Sequence, residues 1–166
     1  MRIGLKCFVL IIVKQALRIL LVDDEAIVRR SMKMLLEHDG HDISAVESGE
    51  AALEQIAQLS HCKFDLVITD FSMPGMHGDE LVTRIREINP GQPIIMCTAF
   101  VEEYKVFGQA SGRVDALLLK PFSFNELREA IELVLNDRDP YDKGVIVMPL
   151  EINPPPAQNF ILPSEP

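Results

Sequence analysis

The sequence predicts a doubly wound α/β domain, a parallel five-stranded sheet with helices on both faces. Two observations predict it. Short β-rich apolar runs begin at Arg18, Ile43, Leu66, Pro93 and Ala116, spaced 25, 23, 27 and 23 residues apart, and helical patterns occupy the intervals. The runs are apolar on both faces instead of alternating, the pattern of parallel strands covered by helices on either side.

Each element has its own justification. Residues 19–22 form the first strand. Residues 25–38 then place Val28, Met32, Leu35 and Leu36 on one helical face, and Asp39-Gly40 ends the helix. The second strand is 43–46. Ser48 can cap a helix through Leu59, with Ala52, Leu53, Ile56 and Leu59 inward. The third strand, 66–69, runs straight into Asp70, and the loop beyond it carries Pro74, Gly75 and Gly78 as breakers. Residues 78–88 turn Leu81, Val82, Ile85 and Ile88 inward before Asn89-Pro90-Gly91 stops them.

The fourth strand is 94–97. Residues 100–113 show weaker periodicity (Val101, Tyr104, Phe107, Ala110), and Gly108 and Gly112 lower helix propensity, which marks this as the most mobile helix. Residues 117–119 supply the fifth strand. Ser123-x-x-Glu126 is a capping box, and Leu127, Ala130, Ile131, Val134 and Leu135 form the stripe behind it.

At 166 residues the chain suits one domain with extensions, and 48% apolar with 25% charged residues is an ordinary globular composition. The three cysteines, Cys7, Cys62 and Cys97, lack metal or redox spacing and read as reduced thiols of a cytoplasmic protein. Residues 1–17 carry +3 and residues 138–166 carry −2, so of the net −9 the stretch 18–137 holds −10. There is no basic stripe, which argues against direct nucleic-acid binding.

Residues 1–17 form an N-terminal extension. Its apolar run, 7–13, is too short to span a bilayer, which needs about 20 residues, and Lys14 follows at once without a small-residue cleavage site. A dispensable extension is the favoured reading, with an added strand or helix on the domain as the alternative; no membrane partner is expected. Residues 138–166 are a proline-rich tail, with seven prolines between Pro140 and Pro166, a polyproline step at Pro154 to Pro156, and a short β-like run, Val145–Met148, within 144–150. It is too short for a second domain, so no separate effector domain is expected. It reads as a loose tail that sometimes packs on its own domain, with a docking segment for a partner as the sharper alternative. The main domain is 18–137.

The chemistry collects at strand ends. The first strand ends in Asp23-Asp24, the third in Asp70, the fourth in Thr98 and the fifth in Lys120-Pro121. Open α/β sheets bind ligands at that rim. Each residue has an ordinary explanation: Asp24 can cap a helix, Thr98 is β-branched strand material, and Lys120 can be solvated. Together they place three carboxylates, a hydroxyl and an ammonium on one rim, and a carboxylate at such a rim is expected to be placed but not buried. Crowded carboxylates are relieved by a hard divalent cation with oxygen ligands, and Mg²⁺ typically takes one or two carboxylates plus a phosphate oxygen. The set suits a phosphoryl group beside Mg²⁺, with Asp70 as nucleophile.

With those residues in view, the chain resembles the receiver domain of two-component response regulators. The matching elements are Ile19-Leu20-Leu21-Val22-Asp23-Asp24-Glu25, Asp70-x-x-Met73-Pro74-x-x-x-Gly78, Thr98-Ala99 and Lys120-Pro121-Phe122. The resemblance covers about 18–137 and implies a flavodoxin-like (βα)5 fold with strand order 2-1-3-4-5. It implies that Asp70 accepts phosphate from a histidine kinase or phosphotransfer protein. Asp24, Asp70 and the Ser72 backbone carbonyl would ligate Mg²⁺, with Asp23 acting through water. Lys120 would pair with the phosphate, with a cis bond to Pro121, and Thr98 would swing to it as the switch. Ser72 and Phe100 would flank the hydrolytic water. The family often carries Tyr or Phe three residues before the lysine, where this chain has Leu117.

The resulting expectation is a cytoplasmic single-domain response regulator, a switch with weak self-dephosphorylating activity rather than a metabolic enzyme. Its output would pass through protein contacts on the face of the fourth helix, fifth strand and fifth helix, or through the tail. One rival is a phosphohydrolase of the haloacid dehalogenase type, which wants a second Asp where Ser72 stands. The other is a tail-mediated adaptor that keeps only the fold.

Overall fold

A computed structural model of the chain describes residues 16–58, 63–99, 114–136 and 146–148. In chain order these form β1 (Arg18–Val22), α1 (Ala26–His38), β2 (Asp42–Val46), α2 (Gly49–Gln58), β3 (Leu66–Asp70), α3 (Gly78–Ile88), β4 (Ile94–Thr98), β5 (Ala116–Leu119), α4 (Phe124–Asn136) and β6 (Ile146–Met148). The residues expected to form a helix at 100–113, among them Phe100, lie outside the described set. So do Leu59, residues 1–15 and the rest of the tail.

All strands run parallel in the order β2-β1-β3-β4-β5-β6. The first five reproduce the expected 2-1-3-4-5 winding. The side chains explain why. Ile19, Leu21, Ile68, Ile95, Cys97 and Leu118 point to one face, where Met32 and Leu36 of α1 and Leu127, Ala130, Ile131 and Val134 of α4 bury them. Leu20, Val22, Val67, Met96 and Leu117 point to the other face, against Ala52 of α2 and Leu81, Val82 and Ile85 of α3. Successive strand residues alternate between two cores, so strands apolar throughout lose nothing on either side.

Helix starts follow local chemistry. At α4 both halves of the capping box are made: Ser123 N–H donates to Glu126 Oε2 (2.6 Å) and Glu126 N–H to Ser123 Oγ (3.3 Å). At α2 the Ser48 hydroxyl accepts from Ala51 N–H (3.2 Å). Arg128 on α4 grips Asp39, just past α1, with Nε and Nη2 at 2.6 and 2.9 Å, tying together the two helices of that face.

Two expectations need correction. Ile88, placed on the inward stripe of α3, is 61% exposed. It is the last residue of the helix, and the buried stripe ends one turn earlier at Ile85. The sheet also has six strands where five were expected: Ile146–Met148 of the tail, read as able to pack on its own domain, pair Ala116 with Ile146, Leu117 with Val147 and Leu118 with Met148.

Candidate functional site

The ladders align the strand ends, because Val22 pairs with Thr69, Asp70 with Cys97 and Thr98 with Leu119. Asp23 directly follows β1, Asp70 and Thr98 close β3 and β4, and Lys120 directly follows β5. The topology therefore brings these four side chains to one rim. Lys120 Nζ lies 3.0 Å from Asp70 Oδ1 and 3.5 Å from Asp23 Oδ2, an ammonium held between two carboxylates from different strands. The Lys120-Pro121 bond is cis.

The carboxylates are more buried than a rim position suggests, which corrects the expectation of an unburied Asp70. Asp70 is 6% exposed and Asp23 is 2% exposed. The loop after β3 folds back over them. Phe71 N–H is shared between Cys97 O and Asp70 Oδ1, each at 2.9 Å, and Gly78 N–H donates to Phe71 O at 2.9 Å. This return is possible only because position 78 has no side chain: a Cβ there would stand 2.2 Å from Asp70 O and 2.9 Å from Phe71 Cα.

Burial without rescue would be costly, but every buried side-chain nitrogen and oxygen among the described residues has a partner. The ionisation balance follows from the same geometry. Burial pushes the Asp70 carboxyl above its ordinary 3.8, Lys120 and the Phe71 N–H pull it back, and the charge of Asp24 adds to the rise. Burial raises Asp23 in the same way, with Lys120 opposing and Asp70 reinforcing. Burial would lower Lys120, yet the two carboxylates hold it above its ordinary 10.5. Beneath them, burial pushes the Cys97 thiol up to about 12, so it remains protonated.

The remaining predicted residues flank this triad. Asp24 is partly buried next to Asp23, and Ser72 is exposed two residues beyond Asp70. Thr98 is 1% exposed, and its carbonyl accepts the Lys120 N–H at 2.7 Å. Asp24 is not the cap of α1. Asp23 Oδ1 accepts the Glu25 N–H at 2.8 Å, and Glu25, the N-cap residue, makes no side-chain cap bond. With two adjacent aspartates the residue types carry no signal for which one turns back.

Arg29 was not anticipated. Its Nη1 donates to Asp23 O at 2.5 Å and its Nη2 lies 3.8 Å from Glu47, so it fixes the backbone that carries Asp23. A basic residue so near a helix N-terminus, where the helix field favours acids, was the available signal.

The donor set of Asp23, Asp24, Asp70 and backbone carbonyls is all hard oxygen, which fits a hard divalent cation. Among the described residues no three His, Cys, Asp or Glu side chains converge as a ready-made cage. Lys120 Nζ supplies the positive charge between two of the carboxylates instead.

The described geometry meets known proteins at this point. The family profile of the response regulator receiver domain matches residues 19–132. The two-component response regulator PhoP of Pseudomonas aeruginosa is 34% identical over 120 residues, covering 72% of this chain and 52% of the relative. The transcriptional regulatory protein ResD of Bacillus subtilis is 40% identical over 119 residues, covering 71% and 48%. The chain thus spans about half the length of these curated relatives.

Among solved structures, the response regulator TrrA of Thermotoga maritima, in complex with Mg²⁺ and BeF, superposes with a TM-score of 0.62 at 34% identity, covering 71% of this chain and 98% of that one. A receiver domain protein from Clostridium thermocellum gives 0.65 at 28% identity, covering 74% and 95%. Profile, relatives and fold agree: the chain belongs to the response regulator receiver domain family of two-component systems, phospho-acceptor switches that bind Mg²⁺ and take phosphate from histidine kinases.

Proposed function

We propose that Asp70 is the phospho-acceptor of this domain and that a histidine kinase or phosphotransfer protein is its donor. The observation that carries this reading is the ion pair of Lys120 Nζ and Asp70 Oδ1 at 3.0 Å, on the rim where the strands end. Raised by burial yet paired with an ammonium, Asp70 is a carboxylate placed to react rather than to be solvated.

In the transfer, an Asp70 carboxylate oxygen forms a bond to phosphorus while the bond from phosphorus to the donor breaks, its electron pair leaving with the donor. Lys120 neutralises charge on the phosphoryl oxygens. Asp23, Asp24, Asp70 and the Ser72 carbonyl are the residues that would hold Mg²⁺, Asp23 through water. The ion, when bound, supplies charge neutralisation for the phosphoryl group. Thr98, buried beside the strand end, offers its hydroxyl to the phosphoryl group and acts as the switch. Leu117 is 1% exposed and packed in the core, so transmission through a rotating exposed ring has no counterpart at that position. Output through protein contacts, in the cytoplasm, completes the reading. Among the described residues no helix is long and apolar enough to cross a membrane.

The test is intact mass after incubation with a small phosphodonor and Mg²⁺. A gain of one phosphoryl group, absent from Asp70→Ala, is expected. No gain, or a gain that survives Asp70→Ala, overturns the reading.

A further inference from the structure

The ladder between β1 and β3 holds Val22 beside Thr69, but Asp23, Asp24 and Ser72 lie beyond the paired residues. Something else must fix how far apart these two acid-bearing segments stand. Both of them touch the junction of β2 and α2, a stretch that contributes no group to the site described above.

On the Asp23 side, the Asp23 N–H donates to the carbonyl of Val46, the last residue of β2, at 3.2 Å. Arg29 joins the same two segments, with Nη1 on Asp23 O and Nη2 3.8 Å from Glu47 Oε2. On the Asp70 side, the loop 71–77 is anchored by Met73 and Met76, which are 2% and 8% exposed, whereas Ser72, Pro74, Gly75 and His77 face solvent. Met76 lies along Gly49, the first residue of α2. A Cβ at position 49 would stand 2.7 Å from its Sδ, 2.9 Å from its Cγ and 3.0 Å from its Cβ. The contact is reciprocal, because a Cβ at Gly75 would stand 3.2 Å from Glu50 Oε1. Each segment has a glycine where the other brings a side chain. Ser48 fixes the start of α2, its hydroxyl accepting from Ala51 N–H at 3.2 Å and its carbonyl from Ala52 N–H at 3.1 Å.

We propose that residues 46–50 are a bracket that sets the spacing between Asp23-Asp24 and the Asp70–Ser72 segment, with Gly49 and Met76 as positioning residues for Mg²⁺. The inference rests on the metal reading proposed above and extends it to residues that touch neither the ion nor the phosphoryl group. Mg²⁺ demands near-ideal octahedral geometry with oxygens at about 2.0–2.1 Å. A small shift of one segment against the other therefore weakens binding although every ligand is still present. Close packing carries such a shift, since a tightly filled contact moves its neighbours instead of absorbing the change.

The test is calorimetric titration of Mg²⁺ into the full chain, with thermal melts in chelator alongside. Gly49→Ala pushes on Met76 along its length, and Met76→Ala removes the contact. Each is expected to weaken Mg²⁺ binding about tenfold, the low end of what loss of an outer support costs a metal site. The double variant Gly49→Ala/Met76→Ala removes the two closest clashes, so it should bind Mg²⁺ several-fold more tightly than Gly49→Ala. Single variants that melt lower but bind Mg²⁺ as wild type does would reduce the contact to packing and overturn the proposal. A double variant no better than Gly49→Ala also overturns it. If Gly49→Ala does not fold, Met76→Ala decides by the same affinity criterion. Wild type that binds no Mg²⁺ overturns the metal reading and the bracket with it, whereas a binding wild type with unaltered affinity in the variants overturns the bracket alone.

Discussion

Gly78 sits against the backbone of Asp70 so closely that a methyl group added at position 78 would stand 2.2 Å from the Asp70 carbonyl oxygen. The obstacle is backbone on both sides, since Phe71 Cα would lie at 2.9 Å, so no side-chain rotation relieves it. Gly78→Ala should cost about 2 kcal/mol by overpacking and should slow phosphoryl uptake, because the strain falls on the peptide that carries the acceptor. Gly91→Ala, where nothing but Asn89 Oδ1 at 3.9 Å lies near, should change neither. Chemical denaturation and phosphorylation rates of the two variants check this. Equal behaviour would remove Gly78 from the site.

Lys120→Met leaves two buried carboxylates facing each other without their counter-charge. In the absence of metal, near neutral pH, the loss should be about 3 kcal/mol. Its pH dependence has a definite sign. The Asp23 and Asp70 carboxyls are raised above 3.8 in the folded state, so the cost of ionising them appears as pH rises from 3.8 through their folded values. Without Lys120 those values climb further, and the deficit of the variant should shrink as pH falls towards about 4. Lys120 itself is raised above 10.5, so its contribution in wild type persists below 10.5 and is lost as pH rises through its folded value. Unfolding measured in chelator across this range decides the matter; a deficit independent of pH would contradict the electrostatic account.

Asp24→Asn separates a metal ligand from a helix cap. Capping is already excluded as its main task, because Asp23 takes the Glu25 N–H. The substitution removes one negative charge near Asp70 and should raise the metal-free melting temperature. In wild type, Mg²⁺ at ten times its dissociation constant should stabilise by about 1.4 kcal/mol, roughly 4–8 °C in melting temperature. The variant should lose most of that response. Thermal melts of both proteins in chelator and in excess Mg²⁺, at fixed ionic strength, provide the comparison. An equal shift in both would misplace the metal.

Ser123→Ala breaks one half of the capping box of α4. Glu126 is held below its ordinary 4.5 by the Ser123 N–H first and the Ser123 hydroxyl second. Only the second is lost, so the Glu126 value should move part of the way back towards 4.5 in an NMR titration. Stability should fall by about 1 kcal/mol through loss of the cap at Ser123. A depressed carboxyl stabilises above its unfolded value and stops doing so as pH falls through its folded value, so the Glu126 share should fade below 4.5.

Much of this was legible in the sequence for a definite reason. Strands buried on both faces announce themselves as unbroken apolar runs, and all five such runs became strands; Ser48 and the Ser123–Glu126 pair announced two helix starts through side-chain chemistry. The convergence of Asp23, Asp70, Thr98 and Lys120 was legible because parallel winding sends every strand end to one rim. What was hidden depends on partners distant in sequence. The burial of Asp70 comes from a loop closing through Gly78, and the role of Arg29 comes from the Asp23 carbonyl. The strand at Ile146–Met148 was half legible: Val145–Met148 reads as a short β-like run, but its parallel place beside β5 depends on a partner distant in sequence.

That sixth strand also bears on how the domain can be transplanted. The family profile stops at residue 132, inside α4, whereas the sheet continues to Met148. A receiver cut at the family limit and fused to a foreign output module would leave Ala116, Leu117 and Leu118 with an open ladder and no charge to guard it. Such a chimera would be sticky for a reason unrelated to its new module. Grafts carried through residue 148 would keep the edge closed.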